Sequence, residues 1–304
     1  MQRYKYLLAA SSAYFVWGFF SFALKPISQH SALDILSYRL FLCAFVLIVF
    51  SVLFRKSKLQ QDVQLLKTMT PTLRKKSIGF IILGAMVLML NWLAFIYVMN
   101  EINVQTAGLS YLICPILATL LGYLILKEKL SKEKWIAIGL AAIACGLMSI
   151  GHFRELYFSI LVALAFAVYL LIQRKLNQFD SFNLLTAQTT VIAIVLTPVF
   201  FIFKAPTPTS PVFYGYIVLI VGVFTILPMF LNNFALKGIN ASTAGILIFI
   251  NPIVNFLLAI FYYKEAISSL QYLAYAIILA AILVFNSGYI FGKKKKKEIE
   301  AGGI

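Results

Sequence analysis

The chain has 304 residues, of which 62% are hydrophobic and only 12% are charged. Because soluble domains carry about a quarter charged residues, this composition excludes an ordinary soluble protein and indicates an integral membrane protein. The net charge of +16 would suit a nucleic-acid-binding protein, but the basic residues lie between apolar segments, so we expect no nucleic acid partner. The three cysteines lie inside apolar runs and predict no disulfide framework.

Ten apolar segments follow one another along the chain, and several connections between them are only a few residues long. An apolar helix of about 20 residues spans a bilayer core of about 30 Å. We therefore predict an all-α integral membrane protein with ten transmembrane helices, in which sequence neighbours are antiparallel. The first segment lacks a small-residue cleavage site, so we expect no cleavable signal peptide. The segments cover residues 6–24, 34–54, 77–99, 104–126, 134–150, 156–173, 182–203, 212–236, 241–263 and 270–291.

Lys and Arg residues are concentrated on one side of the predicted spans, and such an asymmetry sets the orientation in the membrane. They are frequent at the N-terminus, in the connections after the even-numbered segments and in the tail at 292–304. The connections on the opposite side carry only Lys25, Arg154, Lys204 and Lys264. We therefore predict that both termini are cytoplasmic, and we expect the lysines of the tail to rest on anionic lipid.

The segment 55–76 is the one long cytoplasmic connection, and it allows two interpretations. Its apolar residues Val63, Leu65, Leu66 and Met69 could form a short surface helix beside the lipid headgroups. We favour the other interpretation, which is a solvated basic loop.

One stretch of the chain occurs twice, which indicates a duplication. Residues Asn103–Glu128 return without a gap as Asn240–Glu265, and the matches include a Thr-Ala-Gly triplet, a proline and a closing Lys-Glu pair. A repeat at so long a period means two copies of one large unit. We predict five-helix units at residues 1–151 and 152–291. Because five crossings is an odd number, the second unit is expected to be inverted relative to the first, as in many transporters.

Each copy of the repeat carries a proline near its middle, Pro115 in the first and Pro252 in the second. A proline lacks an N–H group, so the carbonyl groups of Tyr111 and Ile248 lose their helical partners. In a membrane such a carbonyl needs another donor, or a wet or protein-lined cavity. A harmless kink explains either proline alone, whereas two prolines at equivalent places favour a shared hinge at the edge of a cavity.

Arg39 is the one strongly charged side chain that lies clearly inside a predicted span. An intramembrane arginine is costly unless it is paired or wet, so Arg39 is a candidate for substrate binding. Its planar guanidinium group suits a carboxylate or a phosphate. Two alternatives remain open: the side chain extends outward to the membrane surface, or it pairs with Asp34 five residues earlier.

Other polar and aromatic side chains within the spans are candidates for contact with a solute. The alternative roles are hydrogen bonds between helices for the amides and anchoring at the membrane surface for the rings. No carboxylate or histidine lies in the middle of a span, so we expect no buried proton relay, no metal site, no cofactor and no catalytic residue. The substrate-binding candidates are Trp17, Asn91, Trp92, Tyr111, Asn232 and Asn251, together with Arg39.

Several motifs together carry a resemblance to a known family. They are Trp17–Gly18, Asn91–Trp92, and the run from Gly108 through Tyr111 and Pro115 to the acidic Glu128. With these motifs the chain resembles the EamA-domain branch of the drug/metabolite transporter superfamily over nearly its whole length, and RarD-like proteins in particular. One departure is Cys114, which stands where the family pattern has asparagine, whereas Asn251 keeps the amide in the second copy.

The resemblance implies ten helices in two inverted halves around a central cavity, lined largely by helices 1, 3, 4, 6, 8 and 9. It also implies movement of small metabolites or drugs, usually export, across a bacterial inner membrane. We therefore expect a carrier that works by alternating access, with a small solute and the lipid bilayer as its partners. The alternative is a membrane sensor or assembly subunit that uses the same fold without transport.

We do not expect a membrane enzyme. Such an enzyme needs a nucleophile, a metal cluster or paired carboxylates at one membrane depth. In this chain the acidic residues and the two histidines are scattered at span ends, in connections and in the tail.

Overall fold

The structure, a computed structural model, describes residues 2–127, 130–150, 152–203, 206–239, 247–266 and 268–290. Within these ranges the regular structure is entirely helical, which confirms the predicted all-α class. We divide the helices into an N-terminal set, α1–α7, and a C-terminal set, α8–α13.

The N-terminal set begins with a broken helix and contains the longest helix among the described residues. Its helices are α1 (Gln2–Gly18), α2 (Phe20–Leu24), α3 (Ala32–Phe54), α4 (Lys56–Thr68), α5 (Pro71–Glu101), α6 (Val104–Leu126) and α7 (Lys132–Ser149), with a 3₁₀ turn at Lys25–Ile27 after α2. Side chains cap three of these helices at their first turn, because a helix N-terminus leaves N–H groups without partners. The Ser31 hydroxyl at the start of α3 accepts a hydrogen bond from Asp34 N at 3.1 Å, and the Thr70 hydroxyl at the start of α5 accepts one from Leu73 N at 3.4 Å. The Asn103 amide oxygen at the start of α6 accepts one from Thr106 N at 2.6 Å.

The C-terminal set contains two π-helical turns, one of which interrupts a long apolar helix. Its α-helices are α8 (Phe153–Lys175), α9 (Ser181–Phe203), α10 (Pro211–Val221), α11 (Leu227–Ala235), α12 (Ile250–Leu257) and α13 (Ser269–Ile290). The turn at Gly222–Ile226 joins α10 to α11, and the turn at Leu258–Tyr262 extends α12. Single π turns inside helices occur frequently at functional sites.

Six helices of the described residues are long and apolar enough to cross a membrane, or seven if the bent pair at the N-terminus is one span. That pair, Tyr4–Gly18 and Phe20–Ile27, is bent by 43°. Two shorter apolar helices lie at Ile250–Tyr262 and Ser269–Phe285. The chain is therefore a multi-pass membrane protein, whereas the predicted number of ten spans stays a prediction. The six clear spans are Ala32–Phe54, Pro71–Glu101, Val104–Ile125, Phe153–Lys175, Ser181–Phe203 and Pro211–Ala235.

The expectation of a solvated loop between α3 and α5 is wrong, because residues 56–68 form helix α4. Leu65 and Leu66 on one face of α4 pack against a small apolar cluster that includes Phe179 and Leu184. Asp62 also accepts a hydrogen bond of 2.7 Å from Asn183 Nδ2. The helix is thus stabilised by partners from α8, α9 and the turn between them, which lie more than a hundred residues further along the chain.

Helices of the two sets pack against each other throughout one core. Helix α1 packs against α11 and α12, and α8 packs in turn against α5 and α6. Likewise, α3 packs against α10 and α5 against α9. Three further pairs are α3 with α9, α6 with α12, and α7 with α13. Most of the buried apolar residues between them belong to one large cluster, so the two sets are interleaved rather than separate.

The next-to-last residues of the two repeat copies share an unusual backbone conformation. Lys127 has φ 56° and Lys264 has φ 51°, and they are the two non-glycine residues with positive φ in the described part of the chain. These lysines occupy equivalent places in the sequence repeat. A left-handed residue is a common way to end a helix, so both copies end with the same change of direction. Several other matched residues, among them Glu128 and Asn240, lie outside the described residues.

The two repeat prolines lie in different helical surroundings. Helix α6 continues through Pro115. Pro252 lies in the first turn of α12, after a turn at Phe249, and not in the middle of a described helix. Proline is well tolerated in a first turn, because the N–H group there has no helical partner.

A close approach between the two sets makes Gly18 sensitive to substitution. A methyl group added there would lie 2.5 Å from Val254 Cβ on α12, whereas one added at Gly79 on α5 would meet nothing within 4 Å. We expect Gly18→Ala to destabilise the purified protein by about 1–3 kcal/mol through overpacking. Gly79→Ala is the matched control and should not destabilise, because alanine is the better helix former. Thermal unfolding in detergent measures both, and an equal response of the two variants would contradict this packing.

Candidate functional site

A cavity lies where helices of the two sets converge. The empty space among its lining side chains is about 350 Å³, including the part that opens to the exterior. The lining residues come from α1, α2, α3, α5, α6, α8, α12 and the π turn at Gly222–Ile226. They are Trp17, Phe20, Arg39, Trp92, Phe95, Tyr111, Phe166, Phe224 and Asn251.

Arg39 lies in this lining and is only 2% exposed. Its Nε donates a hydrogen bond of 2.8 Å to Thr225 Oγ1, whose own hydroxyl donates to the Ile220 carbonyl at 2.8 Å. The guanidinium carbon lies 4.4 Å from the ring centroid of Trp92 and 5.4 Å from that of Phe20. Cation–π contacts of this kind stabilise a desolvated cation. The guanidinium group is therefore fixed by one hydrogen bond and two rings.

Two ion pairs of the described residues join Arg55 to Asp180 and His152 to Glu155, and neither includes Arg39. Asp34, the partner considered from the sequence, instead accepts a hydrogen bond of 2.7 Å from Ser31 Oγ. Extension to the membrane surface is equally inconsistent with a side chain that is buried against Trp92. Arg39 is thus a buried cation without a carboxylate partner among these residues, which is costly unless a counter-charge or water is supplied.

Aromatic rings form most of the remaining wall and support one another edge to face. The Trp17 indole lies 6.2 Å from the Phe166 ring, and Tyr111 lies 5.6 Å from Phe166 and 5.3 Å from Phe95. Trp17 Nε1 also donates to the Phe224 carbonyl at 3.0 Å. Edge-to-face pairs add to the stabilisation from burial alone, so this wall is a connected unit. The site is therefore apolar and aromatic around a single cation.

Asn251 is the polar residue of the wall on the side of α12, and it is 2% exposed. Asn255, one turn later, donates to Asn251 Oδ1 at 2.7 Å and thereby fixes the orientation of its amide. Cys114 occupies the equivalent place in the first repeat copy and is fully buried. The cavity thus receives an amide from the second copy and none from the first.

Asn91 and Asn232 lie outside the cavity lining and join helices of the two sets. Asn91 Nδ2 on α5 donates to the Val162 carbonyl on α8 at 2.9 Å. Asn232 Oδ1 on α11 accepts from the Tyr14 hydroxyl on α1 at 2.7 Å. Both amides are buried. These bonds are the interhelical role that the sequence left open for the amides.

The two repeat prolines are buried close to the cavity. Tyr111, whose carbonyl loses its partner to Pro115, lines the cavity, and so does Asn251, the neighbour of Pro252. Helices α6 and α12 cross nearby, since a Cβ atom added at Gly108 would lie 3.1 Å from Asn255 Cβ. Movement at either proline would therefore change the shape of the site.

The family model of EamA-like transporters matches residues 4–150 and again residues 154–287. The chain belongs to the EamA-like transporter family. An uncharacterized transporter of Vibrio cholerae is 32% identical over 287 residues, which cover 93% of this chain and 92% of that protein. Protein RarD of Escherichia coli is 27% identical, with 95% of this chain and 96% of that one covered. A solved crystal structure shares the fold at 13% identity, with a TM-score of 0.64 over 95% of this chain and 99% of that one.

These relatives confirm the resemblance that the sequence motifs indicated. Together with its apolar helices, membership of the EamA family makes the chain a membrane protein of the transporter type. In the described part of this EamA-family chain, no three His, Cys, Asp or Glu side chains are grouped as a metal site requires.

Five of the seven predicted substrate-binding residues line the cavity of this EamA-family protein, and the four lining phenylalanines and Thr225 were not predicted. The chain contains 27 phenylalanines, so a phenylalanine in an apolar run carries no signal of its own. Thr225 reaches Arg39 from the π turn, and no motif in the sequence marked that turn. The five predicted lining residues are Trp17, Arg39, Trp92, Tyr111 and Asn251.

The bond between Tyr14 and Asn232 predicts a measurable coupling between α1 and α11. We expect the double variant Tyr14→Phe with Asn232→Ala to lose less free energy of unfolding than the two single variants lose together. The difference should be about 0.5–1.5 kcal/mol, the usual contribution of a buried hydrogen bond. Denaturation of the single and double variants measures it. Tyr272→Phe is the control, since Tyr272 is 50% exposed. Full additivity of the two substitutions would show that the bond contributes nothing.

Proposed function

We propose that this protein is a carrier that exports small solutes across a bacterial inner membrane by alternating access. The observation that carries the proposal is the cavity between the two helix sets, with Arg39 buried in its wall. Curated relatives that cover almost the whole chain are named as transporters, which supports the same class. Flux of a panel of metabolites and drugs in proteoliposomes tests it, and absence of flux with folded protein would contradict it.

The proposed architecture is ten spans in two inverted five-helix units, at residues 1–151 and 152–291. The family model matches the chain twice, at nearly these boundaries. The helix packing supports it as well, because packed pairs occur in sets that an exchange of the two units would interchange. The pair α1–α11 would become α5–α8, the pair α1–α12 would become α6–α8, and the pair α3–α10 would become α5–α9. In the three other pairs each helix packs against its own counterpart, which a two-fold axis between the units would produce for helices close to it. Inverted repeats place a binding site at their interface, which is where this cavity lies.

The proposed solute is a small anion with an apolar or aromatic body. A carboxylate or phosphate on the solute would supply the counter-charge that Arg39 lacks, in a geometry that a guanidinium group favours. The rings of Trp17, Trp92 and Tyr111 would contact the body of the solute, and the fixed amide of Asn251 would add a hydrogen bond. Asn91 and Asn232 would act indirectly, by holding the helices that form the wall.

Replacement of Arg39 should therefore discriminate between solutes by charge. We expect Arg39→Gln to weaken binding of anionic solutes about tenfold or more, because a buried charge-assisted hydrogen bond is lost, and to change binding of neutral analogues little. Arg39→Lys should recover only part of the affinity, because lysine keeps the charge without the planar fork. Binding of a carboxylate and its amide analogue to purified protein measures the difference.

Arg154→Gln is the matched control, because Arg154 is an exposed cation that bonds to the Tyr97 hydroxyl and lies outside the cavity lining. Equal loss of carboxylate and amide binding in Arg39→Gln would contradict the proposed role.

The proposed hinges are Pro115 and Pro252. Alanine at position 115 can donate the helical hydrogen bond that proline cannot, and alanine at position 252 removes the ring that fixes the backbone at the start of α12. Neither change removes a contact to the solute. We expect each variant to slow flux several-fold while equilibrium binding stays nearly unchanged. Pro198→Ala on α9 is the control, since Pro198 is an exposed helix-interior proline outside the cavity. Unchanged turnover in both hinge variants would leave the prolines as packing kinks.

A further inference from the structure

Glu265 binds the start of helix α6 with both carboxylate oxygens. Its Oε1 accepts from Val104 N at 2.9 Å, and its Oε2 accepts from Gln105 N at 3.1 Å. The first N–H groups of a helix have no partner within the helix, and a negative charge is stabilised there by the helix dipole. The carboxylate therefore satisfies two buried N–H groups that would otherwise be unpaired, since Val104 and Gln105 are both buried.

The backbone around Glu265 is built to present this side chain. The Glu265 N–H donates to the Ala259 carbonyl at 2.9 Å, and Tyr263 N donates to the Leu258 carbonyl at 2.9 Å, which close the π turn after α12. Lys264 between them is left-handed and reverses the chain. Glu265 thus belongs to a defined turn in the C-terminal set, and it binds a helix of the N-terminal set.

Three further contacts join the two sets at the same end of the molecule. The Tyr275 hydroxyl on α13 donates to the Gln105 carbonyl at 3.2 Å. The Phe22 ring on α2 lies 4.8 Å from the Tyr262 ring and 6.3 Å from that of Tyr263. Under the proposed orientation this is the external end, because few Lys and Arg residues lie there. These contacts hold the two sets together at this end.

We propose that Glu265 is a positioning residue for transport, which holds the start of α6 against the C-terminal set and so closes the external side of the cavity. This inference rests on the proposed carrier function. Opening to the exterior separates the sets at this end and breaks the two carboxylate bonds, so Glu265 stabilises the externally closed state. A purely structural cap would instead stabilise every state equally and leave the balance between the states unchanged.

The test is the sidedness of labelling of a cavity cysteine. The reporter is Phe95→Cys, in a chain whose native Cys43, Cys114 and Cys145 are replaced by alanine. A membrane-impermeant maleimide is added to right-side-out vesicles to label from outside, or to inverted vesicles to label from the cytoplasmic face. We expect Glu265→Gln to raise external labelling about tenfold, the shift that loss of a helix cap of ordinary strength produces, and to lower labelling from the cytoplasmic face. Glu265→Asp, whose carboxylate is too short to reach both N–H groups, should act in the same direction if Glu265→Gln fails to fold.

Glu101→Gln is the matched control, because Glu101 is an exposed carboxylate at the end of α5, close in sequence to Val104. Under the inverted repeat, the same substitution at Glu128, the sequence counterpart of Glu265, should raise cytoplasmic labelling instead. If the Glu265 variants are labelled at the same rates as the Glu101 variant on both faces, the role proposed for Glu265 is overturned and the carrier proposal is left intact. A reporter that reacts from neither face in any variant would overturn the carrier as well.

Discussion

The buried charge of Arg39 is the constraint on which the rest of the site depends. An arginine inside a membrane span is stable only if its charge is shared, and here the Thr225 hydroxyl and the rings of Trp92 and Phe20 share part of it. The described residues offer no carboxylate to it. The missing counter-charge is the reason why we propose an anionic solute for this cavity rather than a neutral one.

The cavity exists only because two sets of helices meet. Trp17, Arg39 and Tyr111 come from the N-terminal set, whereas Phe224 and Asn251 come from the C-terminal set. Hydrogen bonds across the same boundary hold the walls in place, from Asn91 to α8, from Tyr14 to α11 and from Glu265 to α6. Two of these contacts are single hydrogen bonds, which suits the rearrangement that the proposed carrier requires.

The sequence predicted the parts of the site whose chemistry is rare in a membrane segment. A charge, an indole or an amide inside an apolar run is conspicuous, so Arg39, Trp92 and Asn251 could be found. Which neighbour each helix face contacts is a property of the packed structure, so the separation of Asn91 from the cavity could not be predicted. Helix α4 was only the less favoured interpretation of its segment for the same reason, because its packing partners lie far along the chain.

We propose that the membrane potential, acting on the charge of the solute, drives transport without a proton relay in the membrane core. The most direct measurement is flux of an anionic solute into proteoliposomes at clamped membrane potential, with and without a pH gradient. The account predicts a rate that follows the potential and no accumulation when a pH gradient alone is applied. Strong uphill accumulation driven by the pH gradient at zero potential would contradict it.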